Sequence, residues 1–185
     1  MSSTDKKIIV ISGSSGVGKG TIIKSLLSDC DDIKLSVSCT TRKPRAGEVD
    51  GVNYHFLTRE NFENSIKNDD FIEWAEFSGN LYGTSKSFVI DSLKKGDHVL
   101  LEIDTQGALQ IKEKLPEVIL IFIAPPSYEE LVSRLRGRKT ETEEAIQKRL
   151  AFFDLEKENS KHFDHIVIND SIERAVEEIK QIIGQ

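Results

Sequence analysis

Gly13-Ser14-Ser15-Gly16-Val17-Gly18-Lys19-Gly20-Thr21 follows the apolar run Ile8-Ile9-Val10-Ile11 with only Ser12 between them. The order is buried strand, glycine-rich loop, then a helix opening at a lysine, and it decides the fold. Glycines let several backbone N–H groups point into one concavity, with no Cβ to block an approaching anion. A helix starting near Lys19 aims its positive dipole end at the same spot. Lys19 adds a full charge on a flexible stem that can follow a moving group. Gly, four residues, then Gly-Lys directly after a β-type run is the spacing of a phosphate cradle. Every residue from Gly13 to Thr21 is therefore a candidate phosphate contact. A plain glycine turn with an exposed lysine would need no such strand and helix around it.

The residue after Lys19 is Gly20, where a Ser or Thr hydroxyl commonly binds Mg²⁺. Thr21 comes one position later, and one residue along a helix turns a side chain by about 100°. Thr21 cannot simply replace the missing ligand. The Lys-Gly-Thr ending resembles the P-loop of nucleoside monophosphate kinases. That resemblance implies Mg²⁺ held mainly by nucleotide oxygens and water, with no protein residue as direct ligand.

Outward from the loop, four apolar runs read as buried parallel strands: Ile8 to Ile11, Val99 to Ile103, Val118 to Ile123 and Ile166 to Ile168. Helical stripes alternate with them. Ile22, Ile23, Leu26 and Leu27 form one, and Ala108, Ile111 and Leu115 another, stopped by Pro116. Leu131, Val132 and Leu135 follow a turn at Pro125-Pro126, with Ser127 as N-cap. Ile146, Leu150 and Phe153 give a further stripe. Ile172, Val176, Ile179 and Ile183 give the last, capped by Asp170 or Ser171 and ended by Gly184. This alternation predicts an α/β fold, a parallel sheet flanked by helices, with ligands at the strands' C-terminal ends.

The segment 35–94 breaks the rhythm. It contains Tyr54 to Leu57 and Phe71 to Phe77, with turn signals at Ala46-Gly47, Asp50-Gly51 and Ser78-Gly79-Asn80. It reads as a mixed α/β lobe inserted into a core of residues 1–34 and 95–185. A second interruption opens at Gly137-Arg138-Lys139-Thr140-Glu141-Thr142, and the stretch 137–149 reads as a small lid. One domain of 185 residues with these inserts is expected.

Composition narrows the partners. With 38% hydrophobic and 30% charged residues the chain can bury a core. A net charge of −6 argues against a nucleic acid polymer, while a small anion needs only a local cation cluster. Cys30 and Cys39 are too few for a disulfide framework and show no zinc spacing. No apolar run reaches membrane length, and the N-terminus has no signal-like apolar stretch, so a cytoplasmic protein off the membrane is expected.

Arg42 and Arg45 flank Pro44 on one stiff loop, which suits a phosphate monoester. Tyr54 and Tyr82 could add phenolic donors; a solvated basic turn beside buried tyrosines would carry the same composition. The stretches Thr41 to Phe56, Phe71 to Thr84, Leu101 to Gly107, Ile123 to Ser127 and Arg138 to Glu143 resemble the guanylate kinase family. The resemblance runs from about Ile8 to the C-terminus. It implies phosphoryl transfer from ATP to GMP with Mg²⁺. It implies that Arg42, Arg45, Tyr54 and Tyr82 hold the GMP phosphate, with Glu48 orienting the arginines. Glu73 would accept from guanine N1–H and N2–H₂, where adenine offers no donors. Ser38 and Thr84 would approach guanine O6, and Glu102 and Asp104 would line the GMP or magnesium-water side. Arg138 and Arg149 resemble lid arginines, joined by Arg134 one turn earlier. With Lys19 and Arg45 they would surround the phosphoryl group in flight. Asn169 and Asp170 resemble the adenine-contacting edge.

Ser14, Glu102 and Lys139 depart from the commonest family pattern, where proline, aspartate and glycine are usual. Two rivals share parts of it. One is a catalytically weak guanylate-kinase-like module that binds phosphopeptides in the arginine–tyrosine pocket; such modules usually have degraded P-loops. The other is a kinase for a different monophosphate, which Glu73 disfavours. Monomer and dimer are both left open.

Overall fold

Residues 6–77, 79–137 and 143–185 are described by the structure, a computed structural model of the chain. In chain order the elements begin β1 (Ile8–Gly13), α1 (Lys19–Asp29), β2 (Ile33–Leu35), β3 (Cys39–Thr40), β4 (His55–Phe56), α2 (Arg59–Lys67), β5 (Phe71–Phe77) and β6 (Asn80–Ser85). They continue with α3 (Lys86–Lys95), β7 (His98–Glu102), α4 (Thr105–Lys114), β8 (Ile119–Ala124), α5 (Tyr128–Gly137), α6 (Glu143–Ala151), α7 (Phe153–Ser160), β9 (His165–Ile168) and α8 (Ile172–Ile183).

The main sheet is parallel throughout and runs β2-β7-β1-β8-β9. The fold class expected from the strand–helix alternation is the one observed. β1 lies at the centre, pairing Val10 with Leu101 on one side and with Leu120 on the other. Because β1 is covered on both faces, all six of its residues are buried. Ile9 and Ile11 pack on one face with Ile22 and Leu26 of α1 and Val176 and Ile179 of α8. Ile8 and Val10 pack on the other with Val89 of α3 and Ala108 and Ile111 of α4. A central, two-sided strand cannot drift, so the loop that leaves its C-terminal end is anchored to the stiffest part of the molecule.

The second sheet, β4-β3-β6-β5, belongs to the inserted segment. β5 and β6 form an antiparallel hairpin, as the alternating Phe71 to Phe77 pattern requires. Its core is small: Cys39, Phe62, Phe71 and Leu81, with the Phe62 and Phe71 rings 4.5 Å apart. α3, at the end of this segment, packs through Val89 onto the parallel sheet.

Several details differ from the sequence reading. The run Ile166 to Ile168 is an edge strand, so only Val167 is buried, while Ile166 and Ile168 are 51% and 53% exposed. β2, α2 and α3 were not marked by any apolar run. The stripe Ile146, Leu150, Phe153 spans two helices, α6 and α7. At the last helix the cap is Ser171, whose hydroxyl accepts from Arg174 N–H; Asp170 instead pairs with the Arg174 guanidinium. The lid segment falls partly on residues outside those described: Arg138 and Lys139 are among them.

Candidate active site

The phosphate loop is held open by backbone geometry. Gly13 has φ 145°, and a Cβ there would sit 2.3 Å from the Ile123 carbonyl oxygen of β8. Gly18 has φ 101°, is the N-cap of α1, and would press a Cβ to 2.6 Å from Asn169 Nδ2. Both positions require glycine. Asn169, 3% exposed after β9, donates to Val17 O at 2.7 Å. Arg134 of α5 donates to Asn169 O at 3.2 Å. Asn169 and Arg134 thus brace the rear of the loop, while Asp170 lies on the surface with Arg174.

Lys19 folds its ammonium back onto the loop entry, donating to Gly13 O and, at 3.2 Å, to Ser14 O. Arg149 of α6 donates to the Ser15 hydroxyl, so the end of the stretch read as the lid reaches the loop. Gly20 is exposed with open space around it, and Thr21 is exposed beside it.

Across the cleft, Glu48 organises the arginine loop. Its carboxylate accepts from Arg42 Nη1 at 2.9 Å, from Arg42 Nη2 at 2.8 Å and from Arg45 N–H at 2.6 Å. The Arg42 bonds, with the Arg45 N–H, pull the Glu48 carboxyl down to about 2. The Arg42 guanidinium lies 5.2 Å from the Tyr54 ring centre and 5.8 Å from that of Phe56. Tyr54 and Tyr82 meet edge to face at 6.1 Å. Burial, with the nearby Glu102 charge, raises the Tyr54 phenol, so it stays a donor at neutral pH.

Glu73 sits at the floor of this lobe, 3% exposed, on β5. The Thr84 hydroxyl of β6 donates to Glu73 Oε1 at 2.6 Å. Thr84 is therefore engaged with the carboxylate. Burial pushes Glu73 up to about 7; the Thr84 bond opposes that and the Asp104 charge adds to it. Asp104 follows β7 and caps α4, accepting from Gly107 N–H at 2.7 Å.

A cavity of about 280 Å³ joins the two halves; Lys19, Ser38, Tyr54, Glu73, Glu102 and Asp104 all line it. A second, of about 380 Å³, is lined by Arg42, Arg45, Tyr82 and Arg149. Ser15, Phe77, Tyr82 and Glu156 border both, which makes one continuous cleft. Glu156 of α7 had no motif to mark it. It faces Ser14 and Lys19, and burial raises its carboxyl. No spacing in the sequence singles it out from Asp154 and Glu158 beside it.

The family model for guanylate kinase matches residues 5–185. This chain belongs to the guanylate kinase family. It is 53% identical over 176 residues to the guanylate kinase of Caldanaerobacter subterraneus subsp. tengcongensis, covering 95% of this chain and 85% of that protein. It is 51% identical over 178 residues to that of Prochlorococcus marinus subsp. pastoris, covering 96% and 97%. Among solved structures, guanylate kinase from Anaplasma phagocytophilum superposes with a TM-score of 0.79 at 35% identity, over 97% of this chain and 85% of that one. The activity is that of a guanylate kinase, phosphoryl transfer from ATP to GMP. Among the described residues no helix is long and apolar enough to cross a membrane.

Proposed function

We propose a division of labour for the guanylate kinase reaction in this chain, giving ADP and GDP in the cytoplasm. The observation that carries it is the cavity lined by both a buried carboxylate, Glu73, and the loop lysine, Lys19, continuous with a second one lined by Arg42 and Arg45. Glu73 accepts the two adjacent donors of guanine, and Ser38 lies on the same cavity wall beside it. AMP would leave the buried carboxylate unpaired. Arg42, Arg45, Tyr54 and Tyr82 hold the GMP phosphate, with Glu48 keeping the Arg42 fork in place. The loop Gly13 to Thr21 cradles the ATP phosphates. Asn169 and Arg134 fix the loop's shape, and Asp170 lies at the edge where the adenine would rest.

A water-clad Mg²⁺ carried mainly on the nucleotide would suit this wall. Gly20 offers no hydroxyl, and the carboxylates of Glu102, Asp104 and Glu156 border the cavity near Lys19. When bound, it neutralises phosphate charge. The chain's own residues do the rest by positioning. The GMP phosphate is already a nucleophile, so no protein base is needed. Lys19, Arg45 and Arg149, with Arg138 from the lid, follow the charge as the phosphoryl group crosses. Two lobes closing over the substrates would exclude water and so limit ATP hydrolysis.

The test separates the two halves. Arg42→Ala should raise the KM for GMP with kcat little changed, because it binds the GMP phosphate about equally in the ground state and the transition state. Arg149→Ala should mainly lower kcat, because its gain comes in the transition state. An Arg149→Ala enzyme that lost only GMP affinity would contradict the assignment.

A further inference from the structure

Gly107 is buried in the first turn of α4, and its backbone does not require glycine: its φ lies outside the left-handed region. Alanine is the better helix residue at such a position. Yet a Cβ at Gly107 would lie 2.8 Å from Glu73 Oε2, 3.5 Å from Glu73 Cδ and 3.4 Å from Asp104 Oδ1. The short contact is with the end of a flexible side chain from another element. The other oxygen of that carboxylate, Oε1, is fixed by the Thr84 hydroxyl at 2.6 Å.

We propose that Gly107 is a specificity-positioning residue: its missing side chain is the space in which the Glu73 carboxylate lies. The inference rests on Glu73 being the acceptor for guanine. Thr84 holds one oxygen, and the bare first turn of α4 admits the other. The helix start also favours a carboxylate there, because its positive end faces Glu73. Adding a methyl group forces a choice. The Glu73 carboxylate must retreat by roughly 0.6 Å to regain the 3.4 Å of ordinary contact, and hydrogen bonds to two ring donors tolerate little displacement. The fold has no comparable reason to yield, since the carboxylate is the movable partner. Glycine therefore stands where helix propensity alone would favour alanine.

The test is steady-state kinetics and thermal melting of Gly107→Ala, Glu73→Gln and the double variant, with GMP or IMP varied at saturating MgATP. IMP keeps guanine's N1–H but lacks the N2 amino group. Gly107→Ala should raise the KM for GMP roughly tenfold and narrow the preference for GMP over IMP. Its KM for ATP should stay within about twofold, and its melting temperature should not fall. In the Glu73→Gln background, Gly107→Ala should cost far less than it does alone, because the charged acceptor whose placement it disturbs has already been lost. Wild-type GMP kinetics in Gly107→Ala, with Glu73→Gln impaired, would overturn the role of Gly107 and leave Glu73 as the base reader. Additive losses in the double variant, or a lowered melting temperature with GMP and ATP use falling together, would also overturn it. If Glu73→Gln itself kept full GMP efficiency, the guanine assignment on which Gly107 depends would fail first.

Discussion

Replacing Glu73 with Gln should make the protein more stable and a worse enzyme, and the stability gain should depend on pH. The carboxyl sits at about 7 in the fold, against an ordinary 4.5, chiefly because it is buried. A folded value above the unfolded one means the native state binds more protons between those two values. Wild-type stability contributed by this group is therefore present at low pH, falls as pH rises through about 4.5 to 7, and is fully lost above about 7. The gap corresponds to roughly 3 kcal/mol at most. Glutamine keeps an oxygen that can accept from Thr84 and carries no charge, so it escapes this cost. Urea unfolding at pH 5, 6, 7 and 8 should show Glu73→Gln gaining little at pH 5 and up to about 3 kcal/mol at pH 8. In the same protein GMP efficiency should fall roughly ten- to a hundredfold, since a charged hydrogen-bond partner of the base is lost. A variant whose stability difference from wild type is the same at pH 5 and pH 8 would refute the electrostatic argument. Unchanged GMP efficiency would remove Glu73 from the base site.

Lys19→Ala should abolish detectable turnover in coupled assay while far-UV circular dichroism stays native, because the side chain bonds loop carbonyls and is not part of the hydrophobic core; retained activity would sink the phosphate-loop reading. Gly20→Ser should remain active, since a Cβ there meets nothing within 4 Å, with at most a modest gain in Mg²⁺ affinity by titration calorimetry. A large change in metal dependence would contradict the view that Mg²⁺ arrives mainly on the nucleotide.

Where several chemical requirements sit side by side in the chain, the sequence was legible. Strand, glycines, lysine and helix start are consecutive from Ile8 to Thr21, so the loop and its parallel sheet could be read from local pattern. Arg42, Arg45 and Glu48 lie within seven residues of one loop and come together as one network. Edge position was not legible: Ile166 and Ile168 look like core residues until the sheet order leaves them on its rim. α2 carries no apolar stripe, because Phe62 is its one fully buried apolar residue. Glu156 and Gly107 owe their places to contacts between distant elements. Glu156 is one of many helix carboxylates, and Gly107 is unremarkable until Glu73 of β5 is brought against it. The family resemblance implies the adenine edge for Asn169 and guanine O6 for Thr84; the fold engages their side chains in bracing the phosphate loop and the Glu73 carboxylate.

The central claim is that a buried carboxylate selects guanine while the glycine loop delivers the phosphoryl group. A coupled assay of the unmodified protein with MgATP and equal concentrations of GMP, AMP, UMP and dTMP tests it most directly. Rapid ADP formation is expected with GMP, and rates at least about a hundredfold lower with the other three. Comparable rates with AMP, or no turnover with GMP, would contradict it.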